Sequence, residues 1–441
     1  MDQPLLRLDP SLTAAECNER DLLVQTASGL LARKQYPAAI AALKRAIALD
    51  PTYGAAWGEL GVAYHALGRF TDAVRVLKRA MVLDPAYDNA ASNLALVKGI
   101  LGDFDEAESI MRRLMEIPER RVAETIHLGL MLLAKGDWER GLDLYEQRVG
   151  VVVKEFKLPK LGIPYWSGEN LNGKVFYIQT EQGIGDTIAF SRYIHWVKQQ
   201  YPDTKIKLNC HSAYSNLLWE FRHIVGFIPS GVLWPKGGEK FDYGCYLHSI
   251  ARHASARLDS IYPDPGLIRR RVVMQQAEAS LEIPQPTRPR QLRVGLAWTG
   301  NPENATQNRR SVPLEILLLL ATDPNITLYS LQCGAGRDDL TRLEADPLIE
   351  DLSGLIENDL VLCGSAITQM DVIVTCCTSV AHLAGAIGKP CFLMLCHDPY
   401  WLWGRDPDTT PWYPSVRLFR QERRGDWHPV VACVLDALKE L

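Results

Sequence analysis

Three short stretches in the second half of the chain hold residue types that could do chemistry. The first is Glu181-Gln-Gly183-Ile-Gly185-Asp186-Thr187, which follows a strand-like run from Lys174 to Gln179 and precedes an amphipathic helix expected from about Thr187 to Gln200. Glycines at a strand's carboxyl end let the backbone approach a ligand, and a carboxylate there can take the proton from a hydroxyl whose own pKa is far above neutral. As a dinucleotide fingerprint the loop falls short: a third glycine is missing, and Asp186 would repel a phosphate. Asp186 as a simple helix cap is the competing reading.

The second stretch joins Trp298-Thr299-Gly300-Asn301-Pro302 to Asn308-Arg309-Arg310-Ser311, ahead of a helix expected near Pro313. Guanidinium groups beside a glycine loop match diphosphate oxygens, although an isolated Arg-Arg is equally at home on a solvated surface. The third is Thr375-Cys-Cys377-Thr378-Ser379-Val-Ala-His382-Leu-Ala-Gly385, a strand running into a hydroxyl-rich helix start whose free N–H groups could hold a phosphate. His382, one turn into that helix, reads on its own as a packed residue. Trp401, Trp403, Trp412 and Tyr413 could stack on a sugar or base, with packing in the C-terminal core as the other reading.

The elements that position these stretches are strands alternating with helices. Lys174 to Gln179 and Lys205 to Cys210 form one set, and Leu292 to Trp298, Ile326 to Gln332, Met370 to Thr375 and Pro390 to Leu395 form another. The proline-rich stretch Ile283 to Pro289 separates them. Such alternation calls for parallel sheets covered on both faces, and two units on a stiff linker imply a cleft.

The first third of the chain has a different period, because one pattern returns every 34 residues. Its clearest copy places Trp57, Leu60, Gly61, Tyr64, Gly68, Phe70, Ala73, Leu77, Ala80 and Pro85 where a tetratricopeptide repeat (TPR) wants large, small and turn residues. Copies in the same register run through Tyr36 to Pro51, Leu94 to Met111 and Leu128 to Tyr145. Each copy reads as a helical hairpin, and stacked hairpins make a groove that grips a peptide or packs on another domain but has no reactive groups. Ile117-Pro118-Glu119 breaks the spacing, so the last pair is expected to be tilted or to act as a cap.

Composition narrows the classes. The 441 residues include 48 basic and 52 acidic side chains, a net charge of −4, which argues against a protein that coats nucleic acid or an acidic membrane. Ten cysteines at irregular spacing fit neither a disulfide framework nor a zinc knuckle and suggest a reducing compartment. The start, MDQPLLRLDP, lacks the order of a secretory signal, and no apolar run approaches the roughly 18 residues needed to span a bilayer. A cytoplasmic protein with no transmembrane segment and no nucleic-acid partner is expected.

Together these segments resemble the heptosyltransferase-like glycosyltransferases of the GT-B fold, in the version fused behind TPRs. The resemblance rests on EQGIGDTIAFSRY (181–193), GLAWTGNP (295–302), RRSVPL (309–314), TSVAHLAGAIGKP (378–390) and PWYPSVRLFRQ…GDW (411–427). It implies an α plus α/β chain: TPR hairpins over 1–150, an acceptor-side Rossmann-like unit over 151–285, and a nucleotide-sugar-side Rossmann-like unit with a C-terminal helix over 286–441. The repeats themselves occupy 19–148, and the transferase runs from about 165 to 441.

The resemblance further implies inverting transfer from a nucleotide-sugar donor, with no other cofactor and no metal site. Asp186 matches the family's base, and Arg310, with Arg309 beside it, matches a basic residue on the donor diphosphate. Thr378, Ser379 and His382 match the donor-phosphate helix, and Gly183, Gly185, Thr299, Gly300 and Asn301 complete the expected donor site. One departure is Cys377, where many relatives carry Asp. Fusion to repeats resembles the nucleocytoplasmic O-linked N-acetylglucosamine transferases and the flagellin-glycosylating transferases of some bacteria, which implies a protein acceptor such as flagellin or another surface protein. A decayed TPR/GT-B interaction scaffold and a glycolipid or polysaccharide transferase are the alternatives.

Overall fold

The architecture comes from a computed structural model that describes residues 13–150, 162–229, 240–257, 259–279, 281–286, 288, 291–301, 307–356 and 359–441. Pro302 and Pro289, named above in the second loop and the linker, lie outside them, as does the start of the segment expected at 151. Among the described residues no helix is long and apolar enough to cross a membrane. All ten cysteines are free thiols.

The first part is four helical hairpins: α1 (Ala14–Ala32) with α2 (Tyr36–Leu49), α3 (Gly54–Ala66) with α4 (Phe70–Leu83), α5 (Asp88–Ile100) with α6 (Phe104–Met115), and α7 (Pro118–Lys135) with α8 (Trp138–Tyr145). The second helix of each pair opens on the aromatic of the 34-residue register, Tyr36, Phe70, Phe104 or Trp138. Ala39, Ala73 and Ala107, one turn in, are fully buried, which lets helices approach closely. Gly61 serves the same end: a Cβ there would sit 2.5 Å from Leu77 Cγ.

The turns repeat as well. Gly68, Gly102 and Gly136 occupy the left-handed region at φ 72°, 84° and 100°, and Lys34 holds the equivalent place in the first hairpin at φ 60°. The break at Ile117-Pro118 has a local cause, because proline is favoured as the first residue of a helix. Helix α7 therefore starts at Pro118, before the register position 88 + 34 = 122, and is 18 residues long where α3 and α5 are 13.

The chain divides into two compact units, one of residues up to 135 with 143–148, the other of 136–142 with 149–441. The division falls inside the last hairpin. Trp138, 2% exposed, belongs to the second unit, where its ring lies 5.3 Å from Trp401 and 5.8 Å from Trp412.

That second unit holds two sheets, and every strand pairing described in them is parallel. The first comprises β1 (Val175–Gln179), β2 (Lys205–Cys210), β3 (Val225–Pro229) and β4 (Tyr243–Tyr246) in the order β3-β2-β1-β4. The second comprises β5 (Leu292–Ala297), β6 (Ile326–Ser330), β7 (Ile349–Asp351), β8 (Val372–Cys376), β9 (Cys391–Leu395) and β10 (Val416–Arg420) in the order β10-β9-β8-β5-β6-β7. Strands β8 and β9 are buried along their whole length, as central parallel strands covered on both faces must be. With the hairpins, this is the expected TPR plus α/β architecture.

Helices α9 (Ile184–Phe190), α10 (Arg192–Gln200) and α11 (Leu247–His253) flank the first sheet in sequence; α12 (Leu267–Glu278) follows. The single helix expected from Thr187 to Gln200 is thus two, broken at Ser191, whose hydroxyl bonds the Ile188 carbonyl at 2.9 Å. Helices α13 (Leu360–Thr368), α14 (Ser379–Ile387) and α15 (His428–Leu438) accompany the second sheet. Helix α12 precedes residue 286 but packs with α13, where a Cβ on Gly364 would lie 2.6 Å from Val272. The second sheet's helical layer therefore draws on residues from before the linker. The expected helix near Pro313 is one turn, Leu314–Leu317, tightening into a 3₁₀ turn.

The turn register yields a test. Lysine pays for the left-handed backbone that glycine adopts freely, so Lys34→Gly is expected to stabilise the hairpins by about 1 kcal/mol. Gly68→Ala is expected to destabilise them by roughly 1–2 kcal/mol. Urea denaturation followed by circular dichroism checks both signs; a loss of stability in Lys34→Gly would mean that the lysine side chain outweighs its backbone cost.

Candidate functional site

In an open parallel sheet, ligands bind at the carboxyl ends of the strands where the strand order reverses. The first sheet reverses between β1 and β4, and the second between β5 and β8. The loop after β1 carries Glu181 to Asp186, and the residue after β4 begins the helix that carries His248. The loop after β5 carries Thr299 to Arg310, and β8 runs into Cys377, Thr378 and Ser379. Topology alone thus delivers the candidate residues to two crevices.

Asp186 is the third residue of α9, with a side chain 17% exposed. Its Oδ2 accepts the Gly183 N–H at 3.2 Å, the bond of a helix cap. Its Oδ1 accepts the Tyr400 hydroxyl at 2.9 Å and lies 3.7 Å from His248 Nε2. One carboxylate thus caps the helix with one oxygen and accepts a hydroxyl with the other. The other ring nitrogen of His248, Nδ1, is 3.1 Å from Glu181 Oε1, and that oxygen also accepts the His248 backbone N–H at 3.1 Å. Phe190 covers the imidazole, ring centroids 4.0 Å apart.

Electrostatics follow from this sandwich. Burial disfavours a charged His248, but the Glu181 field, with Asp186, overrides it and raises the imidazole to about 9. Burial likewise pushes the Asp186 carboxyl up, yet the charge of His248 beside it, the nearby His382 and the Tyr400 hydroxyl leave it below the ordinary carboxylate range.

Gly185 has no room for a side chain because His382 fills the space: a Cβ would sit 2.6 Å from the imidazole Cδ2. His382 is 4% exposed, has Nδ1 3.2 Å from the Tyr413 hydroxyl, and stacks on Trp403 at 4.6 Å. Burial pulls it down to about 4, helped by Arg192 and Arg310 and opposed by Asp186. The ring is neutral and packed, so glycine at 185 serves the close approach of His382. Trp401, Trp403, Trp412 and Tyr413 are all buried, Trp403 and Tyr413 against His382 and Trp401 and Trp412 against Phe190.

At the second crevice, the loop after β5 is pinched at its base. Gln332 Oε1 accepts the N–H groups of Trp298 and Thr299 at 3.1 and 3.0 Å, Val312 N–H bonds the Trp298 carbonyl at 2.9 Å, and the Thr299 and Ser311 hydroxyls are 2.7 Å apart. Gly300 follows in the loop, and Asn301 is exposed. The arginine pair is divided in its duties: Arg309 binds the Asp398 carboxylate, while Arg310 has Nη1 3.5 Å from Cys377 Sγ and a buried Nε that has no hydrogen-bond partner among the described residues. Thr378 caps α14 by position only, because its hydroxyl is 3.2 Å from that of Thr375 and makes no bond to the helix start. Helix α14 thus begins at the half-buried Ser379 without a side-chain bond from its N-cap residue.

Residues 30–97 and 89–113 match models of the tetratricopeptide repeat. The front of the chain is a repeat array. Over its length, protein FlbA of Caulobacter vibrioides is 27% identical across 338 residues, covering 70% of this chain and 54% of its own, so the chain spans about half the length of that relative. Among solved structures, ADP-heptose LPS heptosyltransferase II of E. coli aligns with 61% of this chain and 100% of its own at 14% identity and a TM-score of 0.39. MamA aligns with 30% of this chain and 78% of its own at 24% identity and a TM-score of 0.27.

Sequence reasoning overlooked His248, Tyr400 and Arg192. The last is 3% exposed; it donates to the carbonyls of Ala189, Tyr262 and Trp412 at 3.0, 3.1 and 3.1 Å and lies over the Trp412 ring. Glu181 and Arg192 carried a signal only as members of the segment 181–193.

The two histidines give opposite pH responses. His248, raised to about 9 from 6.5, contributes stability that is complete below pH 6.5 and lost as pH rises through about 9. His382, lowered to about 4, contributes the reverse, with stability lost as pH falls from 6.5 toward 4. The urea-midpoint gap between wild type and His248→Gln is therefore expected to be widest near pH 6 and to narrow by pH 9.5. A gap constant across that range would mean that His248 carries no charge in the fold.

Proposed function

We propose that the α/β part is an inverting glycosyltransferase that moves a sugar from a nucleotide-activated donor to a hydroxyl, on a protein recruited by the repeat groove. The observation that carries the reading is the pairing of opposite charges at the two switch points. Asp186 stands at the first and Arg310 at the second, and the fields of both reach the single buried ring of His382.

Transfer to a hydroxyl needs two things of the protein. A carboxylate must take the proton as the new C–O bond forms, and Asp186 Oδ1 already accepts a hydroxyl, that of Tyr400. The departing nucleoside diphosphate must be met by positive charge and N–H donors. Arg310, with its unpartnered Nε, and the uncapped start of α14 at Thr378 and Ser379 supply these without a metal. Arg309, engaged by Asp398, contributes less. His382 acts as a neutral wedge between the crevices.

The reading is tested at both ends. Asp186→Asn keeps the cap but cannot take a proton, so turnover is expected to fall at least roughly 10²-fold with melting temperature nearly unchanged. Arg310→Ala is expected to weaken binding of nucleoside diphosphates, screened by calorimetry, by about 1.5–3 kcal/mol. If wild type binds no nucleotide in that screen, the interaction scaffold becomes the better account; wild-type turnover in Asp186→Asn would make the carboxylate structural.

A further inference from the structure

We infer that His248 is a positioning residue for Asp186, clamped by Glu181 so that its second nitrogen holds the Asp186 carboxylate ionised and aimed into the crevice. The inference rests on the reading of Asp186 as the base and adds two residues, Glu181 and His248, to which no role has been attached.

Geometry separates a clamp from a chance contact. Glu181 Oε1 accepts the His248 backbone N–H at 3.1 Å and stands at the same distance from Nδ1, an ion-pair contact that holds the ring beside it. The ring then presents Nε2 to Asp186 at 3.7 Å. That is an ion-pair distance and too long for a hydrogen bond, so Nε2 supplies a field without filling the lone pairs of Oδ1. The same oxygen remains able to accept a hydroxyl, and it does so from Tyr400 at 2.9 Å. The phenol thus occupies the place of an acceptor hydroxyl.

The arrangement is costly as mere structure. Two carboxylates and an imidazole are buried around one another, where an apolar replacement of equal volume is often as stable or more so. The charged and titratable groups that face His248 are Glu181 and Asp186 from the loop after β1, with Tyr400 reaching it through Asp186; His382 acts on Asp186 electrostatically. Without a cation here, burial would favour the protonated carboxyl, which cannot accept a proton. With it, Glu181, His248 and Asp186 carry one net negative charge. When the acceptor O–H bond breaks, the proton passes to Asp186, the acceptor oxygen bonds the sugar's anomeric carbon, and the bond to the diphosphate breaks with its electron pair leaving on the nucleotide. The cluster then falls to zero net charge.

The full chain, labelled with ¹³C at aspartate and ¹⁵N at histidine, allows a test by NMR titration, with His248→Gln and Asp186→Asn assigning the two resonances. In His248→Gln the Asp186 carboxyl is expected to titrate at higher pH than in wild type, and in Glu181→Gln the His248 ring is expected to lose its proton at lower pH. An unmoved Asp186 in folded His248→Gln overturns the proposal; should that variant fail to fold, an unmoved His248 in Glu181→Gln does so. The second arm follows nucleoside diphosphate release from a panel of UDP-, GDP- and ADP-sugars. There, Glu181→Gln and His248→Gln are expected to lower kcat at least roughly tenfold with the donor KM unchanged, as misaimed catalytic groups do, and unchanged kcat in both counts against positioning. The titrations need no substrate, so they judge the clamp separately from the transferase reading, which fails if wild type turns over no donor.

Discussion

Asp186 is charged where it is buried because His248 is charged beside it, and His248 is charged because Glu181 holds it from the other side. The order of these three fixes much around them. Glu181 must lie buried within the loop from β1, and the backbone accommodates this with Gln182 in the left-handed region at φ 60° before α9 begins. His248 must start a helix directly after β4, so β4 has to pair with β1; the register Phe176↔Tyr243 to Gln179↔Tyr246 brings both strand ends to one level. A shift in that register would separate the imidazole from both carboxylates. The packing of Phe190 on the imidazole then excludes water from the same ion pairs.

The second constraint is close packing of the helices that leave the two sheets. Helix α9 from the first and α14 from the second meet at Gly185 and His382, and Gly385 on α14 would place a Cβ 2.3 Å from the ring of Tyr413. Both glycines make room for an aromatic ring or an imidazole. Arg192 completes the junction by reaching carbonyls in three separate segments, at 189, 262 and 412, so its buried charge is fully engaged by hydrogen bonds and by the Trp412 face. A hinge between the α/β halves would have to break these contacts or turn about them.

Periodicity and apolar runs made the repeats and most strands readable. The 34-residue register located the turns at Gly68, Gly102 and Gly136, and β2 spans Lys205–Cys210 as its apolar run indicates. What stayed hidden depended on pairing across long sequence distances. Strand β4 is only Tyr-Gly-Cys-Tyr, too short and too mixed to announce itself, and it exists because β1 offers it a parallel partner. His248, one residue into α11, was invisible for the same reason. His382 was legible as a helix residue beside the second crevice, but its burial against Gly185, Trp403 and Tyr413 comes from packing between distant segments. Arg192 read as part of an amphipathic helix, and nothing local distinguishes a buried guanidinium whose acceptors are carbonyls 70 and 220 residues away.

Cys377 bears on how the two crevices divide the chemistry. Its sulfur receives the Trp403 indole N–H at 3.1 Å and stands 3.5 Å from Arg310 Nη1. A carboxylate in this place would accept both donors strongly and cancel the guanidinium charge, whereas sulfur is a weak acceptor. Arg310 therefore keeps its positive charge at the end of β5 and β8, with an Nε that has no partner among the described residues. Across from it, Glu181, His248 and Asp186 sum to one negative charge at the end of β1 and β4. The two crevices thus carry opposite charge. A thiol rather than a carboxylate at position 377 therefore leaves the positive charge of Arg310 largely uncancelled at the second crevice.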